Sequence, residues 1–330
     1  MTGLTDLLKQ YYLTYGPPKP MNSGNGSLEW PHFFLHRNFL GEQDLAILFY
    51  TKRCRYQCAF CALPLKSPQT YIDGASIKTQ FMNVMEEMKN SIGSFERLTI
   101  ANEGSVFDET TFCPDTLDEI CTSVSVVPNI RKIVIETRLE FAKAERLRAL
   151  ARMSGKTLDI LTGFETLDER LRDDVLRKRE PLSVFTDGLD EVAAAGGELT
   201  TYVLYKPDPA MTDGEAAEEA ERSVDYVRDH CAARGISLTI RLNPMYVARG
   251  TPWARRAKAL GGYVPPSLAD VIALARRKRE EGMKIYLGLT SEDLSAPEDT
   301  YRGREDFTKN QLKQGILMNL KRPESGTLSA

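Results

Sequence analysis

The segment DLAILFYTKRCRYQCAFC, residues 44–61, decides the architecture. Its opening run, Asp44 to Thr51, is largely apolar and rich in strand-forming types, and it leads into a polar loop carrying Cys54, Cys58 and Cys61. A strand that delivers reactive side chains to the loop at its C-terminal end is the way parallel α/β barrels build their sites. The same rhythm continues downstream. Strands are predicted at 96–101, 131–136, 158–163, 199–205 and 236–242, with a further apolar run at 283–289. Helical stretches at 75–92, 114–124, 142–153, 168–178, 183–195, 213–233 and 267–281 separate them. Six or seven such units predict an α/β fold, a partial TIM-like (β/α)6 barrel over 44–290. Residues 1–43 read as an N-terminal extension, a short amphipathic helix followed by a turn-rich stretch. Residues 291–330 read as a C-terminal extension with a disordered polar tail.

Composition narrows the function. The chain has 330 residues, 42% hydrophobic and 27% charged, as expected of a globular protein. Its 43 basic and 46 acidic residues leave a net charge of −3, which gives no global attraction for nucleic acid. No signal-peptide pattern opens the chain and no apolar run is long enough to span a bilayer, so a cytoplasmic protein is expected. In that reducing compartment the six cysteines are not expected to form disulfides. Cys113, Cys121 and Cys231 are scattered and read as core thiols.

Three thiolates spaced by four and three residues on one loop can converge on a single metal centre, and soft thiolates suit iron–sulfur or zinc. Zinc wants a fourth ligand, which His32 or His36 could supply; three ligands on a four-iron cluster leave one iron open. The strand ends after the cysteine loop carry further polar groups, at ANEGS (101–105), ETR (136–138), GFET (163–166), YKP (205–207) and RLNP (241–244).

The CxxxCxxC spacing, with Phe60 just before the last cysteine, resembles the signature of the radical S-adenosylmethionine (SAM) superfamily. The stretches IVIETRLEF (133–141), LDILTGFETLDERLRDDVLRKR (158–179), YVLYKPDPAMTDGEA (202–216), RLNPMYVARGTPW (241–253) and GGYVPPSL (261–268) are similar, in order, to the archaeosine synthase radical SAM subunit and Elongator catalytic subunit group. That resemblance covers roughly 45–270. It implies a [4Fe-4S] cluster on Cys54, Cys58 and Cys61, with SAM on the open iron and Phe60 beside the adenine. It implies that Asn102, Glu103, Gly104 and Ser105 receive the methionine amino group, although the usual Gly-Gly-Glu is missing. Glu136 would hold the ribose hydroxyls and Arg138 the SAM carboxylate, with Gly163 allowing close approach and Glu165 facing the site. Tyr202, Lys206, Arg241, Asn243 and Arg249 become candidates for substrate contact.

The implied activity is hydrogen abstraction by a 5′-deoxyadenosyl radical from a small molecule, with a one-electron reductant such as flavodoxin or ferredoxin as partner. A tRNA substrate stands second; a stripe of Arg146, Arg148, Arg152, Arg170, Arg172, Arg177 and Lys178 would support it, but reads equally as two solvated helix faces. A non-enzymatic metal-binding or cluster-binding protein stands third. Residues 297–317 match nothing in the group and read as a private substrate-binding or capping element.

Overall fold

The computed structural model describes residues 3–4, 12–15, 28–291 and 294–321. Among these, nine strands form one sheet whose spatial order follows the chain. Strands β1 (Tyr12–Tyr15), β2 (Phe33–Phe39) and β3 (Glu42–Phe49) pair antiparallel. From β3 the sheet is parallel through β4 (Arg97–Asn102), β5 (Lys132–Glu136), β6 (Thr157–Glu165), β7 (Glu198–Tyr205), β8 (Leu238–Pro244) and β9 (Lys284–Leu287). The crossovers run through α1 (Gly74–Glu87), α2 (Pro114–Ser125), α3 (Ala144–Ser154), α4 (Leu182–Ala194), α5 (Asp213–Ala232), α6 (Pro252–Ala259) and α7 (Leu268–Glu280), and α8 (Lys309–Leu320) follows the last strand.

Strand periodicity sorts the side chains. Leu45, Ile47 and Phe49 of β3, Leu98 and Ile100 of β4, and Ile133 and Ile135 of β5 join the main apolar core beneath the helices. The intervening residues face inward, and there the barrel is divided by level. Near the strand starts the inward positions are charged. Arg37 Nε donates to Asp44 Oδ2 at 2.7 Å, and Thr99 Oγ1 donates to Asp44 Oδ1 at 2.8 Å. Arg97 lies 3.4 Å from Asp159 and 3.3 Å from Glu42, and Thr200 Oγ1 donates to Asp159 at 2.8 Å. Nearer the strand ends, Ala46, Ala101, Gly163 and Gly288 leave a cavity of about 310 Å³. Side chains from β2 through the residues after β9 line it, so the sheet curls around that space.

Part of the segment read as an extension therefore belongs to the barrel. The boundary at 43/44 falls inside β3, and β2 supplies a wall of the cavity through Phe33, Leu35 and Arg37. The amphipathic helix expected near the N-terminus and the tail after 321 lie outside the described residues. The C-terminal helix packs against the end of the sheet. The Asn319 side chain of α8 exchanges two hydrogen bonds of 2.8 Å with the Leu287 backbone of β9, while its carbonyl accepts from Leu40 N at 2.9 Å. Phe39 stacks on Tyr286 with ring centroids 4.3 Å apart. These contacts join β2 to β9, the last strand, which the sheet itself does not pair with β2.

Candidate functional site

The cysteine loop leaves β3 and returns across the cavity mouth, and several tethers hold it there. Arg55 pairs with Asp108 through both oxygens, at 2.9 and 2.8 Å. Tyr56 meets Glu140 through its hydroxyl and lies beneath the Arg138 guanidinium, 3.9 Å from ring centroid to carbon. Ala59 N donates to Leu176 O at 2.7 Å and Ala59 O accepts from Trp253 N at 2.9 Å, which clamps the loop between the segment after β6 and α6. Cys54, Cys58, Phe60 and Cys61 all line the cavity. Burial pushes each thiol up, and the charges of Cys54 and Cys58 add to the effect at Cys61. Three such buried thiols are a donor set that a bound cation stabilises as thiolates. Among the described residues no three His, Cys, Asp or Glu side chains already form a metal-holding group, so the thiols share a cavity wall rather than a preset ligand triangle.

The turn after β4 is built by Asn102. Its Oδ1 accepts from Gly104 N at 3.0 Å and its Nδ2 donates to Thr111 Oγ1 at 3.3 Å. A Cβ on Gly104 would stand 3.5 Å from the Cys54 backbone, so the turn lies against the cysteine loop. Glu103 reaches the cavity but is fully buried and engaged. One oxygen accepts from Thr51 N and Oγ1 at 2.9 and 3.1 Å; the other meets His32, brought in by the segment before β2. Ser105 does not reach the cavity: its hydroxyl accepts from Arg138 N at 3.0 Å and so ties two strand-end loops together.

Across the interior, Arg241 on β8 donates to Tyr202 Oη at 3.0 Å, and Tyr202 on β7 donates to Glu136 Oε1 on β5 at 3.3 Å. Asn243 packs against Gly288, where any Cβ would collide with its amide. At the next rim position the register slips between Gly163 and Glu165, and Glu165 adopts φ +72°. Phe164 turns outward onto Phe185, 4.7 Å away, and Glu165 turns into the cavity. Burial raises the Glu165 carboxyl, with Lys178 and Arg172 opposing that shift.

Some expected residues are placed elsewhere. Lys206 is buried outside the cavity, its ammonium 2.8 Å from Asp213, which also binds Arg304 at 2.8 Å. Arg249 is exposed away from the lining. The Arg138 guanidinium lines the cavity yet donates to the carbonyls of Lys178 and Arg179 at 3.0 and 3.2 Å and to Glu140 at 3.2 Å. The basic stripe forms only in part as a surface, with Arg148, Arg152, Arg170 and Arg177 exposed. Arg172 is buried on backbone carbonyls, Arg146 pairs with Asp118, and Lys178 points into the cavity. Sequence reasoning did not place Arg37 or Lys178 at the cavity, and it offered His32 as a zinc ligand rather than as the partner of Glu103.

No family model matches the chain. It is 24% identical to archaeosine synthase subunit beta of Thermococcus kodakarensis over 233 residues, 69% of each chain. In structure it is similar to a radical SAM methyltransferase from Sphaerobacter thermophilus, with TM-score 0.54, 14% identity and coverage of 77% of this chain and 68% of that one. It is also similar to a queuine lyase from Clostridium spiroforme bound to SAM and queuine, with TM-score 0.51, 15% identity and coverage of 79% and 96%. The fold is that of radical SAM enzymes. Among the described residues no helix is long and apolar enough to cross a membrane.

Proposed function

We propose that this protein is a radical SAM enzyme that abstracts hydrogen from a small molecule. The observation that carries the reading is one cavity of about 310 Å³, with three cysteines of a single loop at its mouth and the row Arg241, Tyr202 and Glu136 inside. Cys54, Cys58 and Cys61 would hold a [4Fe-4S] cluster. Once bound, cluster and SAM supply the 5′-deoxyadenosyl radical, after one electron from a carrier such as flavodoxin or ferredoxin.

The chain's own residues bind, orient and exclude water. Phe60, Gly104 and Gly163 offer contact surface near the cysteines, and Glu136 offers an acceptor for hydroxyls. Tyr202, Arg241 and Asn243 present donors and acceptors toward a polar substrate. The walls from β2 and the α8 closure keep a reactive radical from solvent. Enclosure favours a free small molecule over an RNA-borne base, and the helix stripe that would grip a phosphate backbone is interrupted, with Arg172 and Lys178 buried and Arg146 paired with Asp118. The similarity to archaeosine synthase subunit beta keeps a tRNA-borne nucleoside as the second reading.

The test is anaerobic incubation with SAM and dithionite. 5′-Deoxyadenosine is expected from the reconstituted protein and absent from Cys58→Ala. Candidate nucleobases and nucleosides deuterated at one carbon should transfer deuterium into that product. Tight, salt-sensitive tRNA binding with no small-molecule turnover would instead select the second reading.

A further inference from the structure

The segment after β6 turns a lysine into the cavity. Residues 171–175 form a wide helical turn, after which Arg177 and Arg179 both adopt left-handed backbone, at φ +51° and +52°. For residues with a Cβ this conformation is unfavourable and persists only where surrounding contacts enforce it. Here the contacts are Lys178 N to Arg172 O at 2.8 Å and Arg138 on the carbonyls of Lys178 and Arg179. The result is an alternation in which Arg177 and Arg179 face solvent while Lys178, 4% exposed, faces the cavity.

Its ammonium makes one hydrogen bond, to Glu180 Oε2 at 2.9 Å. Glu165 Oε1, at 3.9 Å, is beyond hydrogen-bond range. An ammonium has three protons to donate, so capacity remains on the cavity side. Gly163 makes room beside the ammonium for the Glu165 carboxylate, with which any Cβ there would collide, and such a Cβ would also sit 3.3 Å from Lys178 Nζ. The two groups that the family pattern assigns to the methionine end of SAM are already engaged, Glu103 by Thr51 and His32, and Arg138 by two carbonyls and Glu140.

We propose that Lys178 binds the carboxylate of SAM from the cavity side, and that Arg138 instead seats the loops around it. The assignment rests on the radical SAM reading above. It is tested by binding rather than turnover, comparing SAM with decarboxylated SAM on anaerobically reconstituted protein of measured iron content. Wild type should prefer SAM by on the order of 10- to 100-fold, the range of a charge-assisted contact. Lys178→Met should bring that ratio close to one by weakening SAM alone, Lys178→Arg should restore part of it, and Arg138→Met should keep it. If Lys178→Met fails to fold, Lys178→Gln, which can still donate to Glu180, carries the same expectation. A ratio unchanged in the lysine variants, or abolished in Arg138→Met, overturns the assignment. A wild-type protein that takes up iron and binds both compounds equally also overturns it, while one that holds no cluster takes down the underlying reading as well.

Discussion

The two levels of the barrel interior use similar residues to opposite ends. Near the strand starts, Arg37, Asp44, Arg97 and Asp159 answer one another through hydrogen bonds and neighbouring threonines, and the Arg97 guanidinium lies 4.3 Å over the Phe39 ring. Near the strand ends, Glu136, Glu165, Lys178 and Arg241 border open space left by alanine and glycine. The difference is volume as much as charge. Where inward side chains are large and mutually paired the barrel is a floor; where they alternate with Ala46, Ala101, Gly163 and Gly288 it can receive a ligand. Burial has different consequences from one carboxyl to the next: Asp159 of the floor ends above the ordinary value because burial outweighs Arg97, whereas Asp44 does not. Asp44 is held below the ordinary carboxylate value: burial pushes it up, but Arg37 and Arg97 outweigh that. Glu165 ends above the ordinary value.

Substitutions should separate the levels. The largest effect on chemistry belongs to Cys58→Ala, which should abolish cluster assembly and SAM cleavage while moving the apo-protein's melting temperature little. Iron content and calorimetry check both halves. The largest effect on stability belongs to Asp44→Ala, which leaves Arg37 buried without its partner and should cost about 3–5 kcal/mol at pH 7. Because Asp44 is depressed in the fold, its contribution is present above the ordinary value of 3.8 and is lost as the pH falls through its lower folded value. Urea melts should therefore show the gap from wild type shrinking below pH 3.8; a gap independent of pH would contradict the paired floor.

Asn319→Ala should cost about 1–3 kcal/mol by stranding the Leu287 backbone groups, and should raise hydrogen exchange along β9. Glu165→Gln should have the smallest effect and the opposite sign. Ionising the buried Glu165 is unfavourable, so stability is lost as the pH rises above its unfolded value of 4.5. The Gln variant should match wild type at low pH and become slightly more stable toward neutrality.

Much of this was legible from the sequence. Every parallel strand was predicted within a few residues, because strands buried on both faces read as continuous apolar runs between helices. The cysteine loop and the Glu136, Tyr202, Arg241 and Asn243 positions all came to one cavity, since strand ends converge in this fold. Three features were not legible. β2 (FFLHRNF) carries the polar run His36, Arg37 and Asn38 between aromatics, and its place depends on non-local pairing with β3. The paired floor depends on register between strands far apart in sequence. Lys178 sits in a run, RLRDDVLRKR, with the charge pattern of a solvated helix; the left-handed turns that aim it inward have no glycine to announce them.

The central claim is that Cys54, Cys58 and Cys61 hold a cluster with one iron open to SAM. Its most direct test is electron paramagnetic resonance on the reduced, anaerobically reconstituted protein, with and without SAM. The account predicts about four irons per chain and a reduced-cluster signal that shifts when SAM is added. A protein that instead retains one tight zinc, with no paramagnetic signal and no response to SAM, would contradict it.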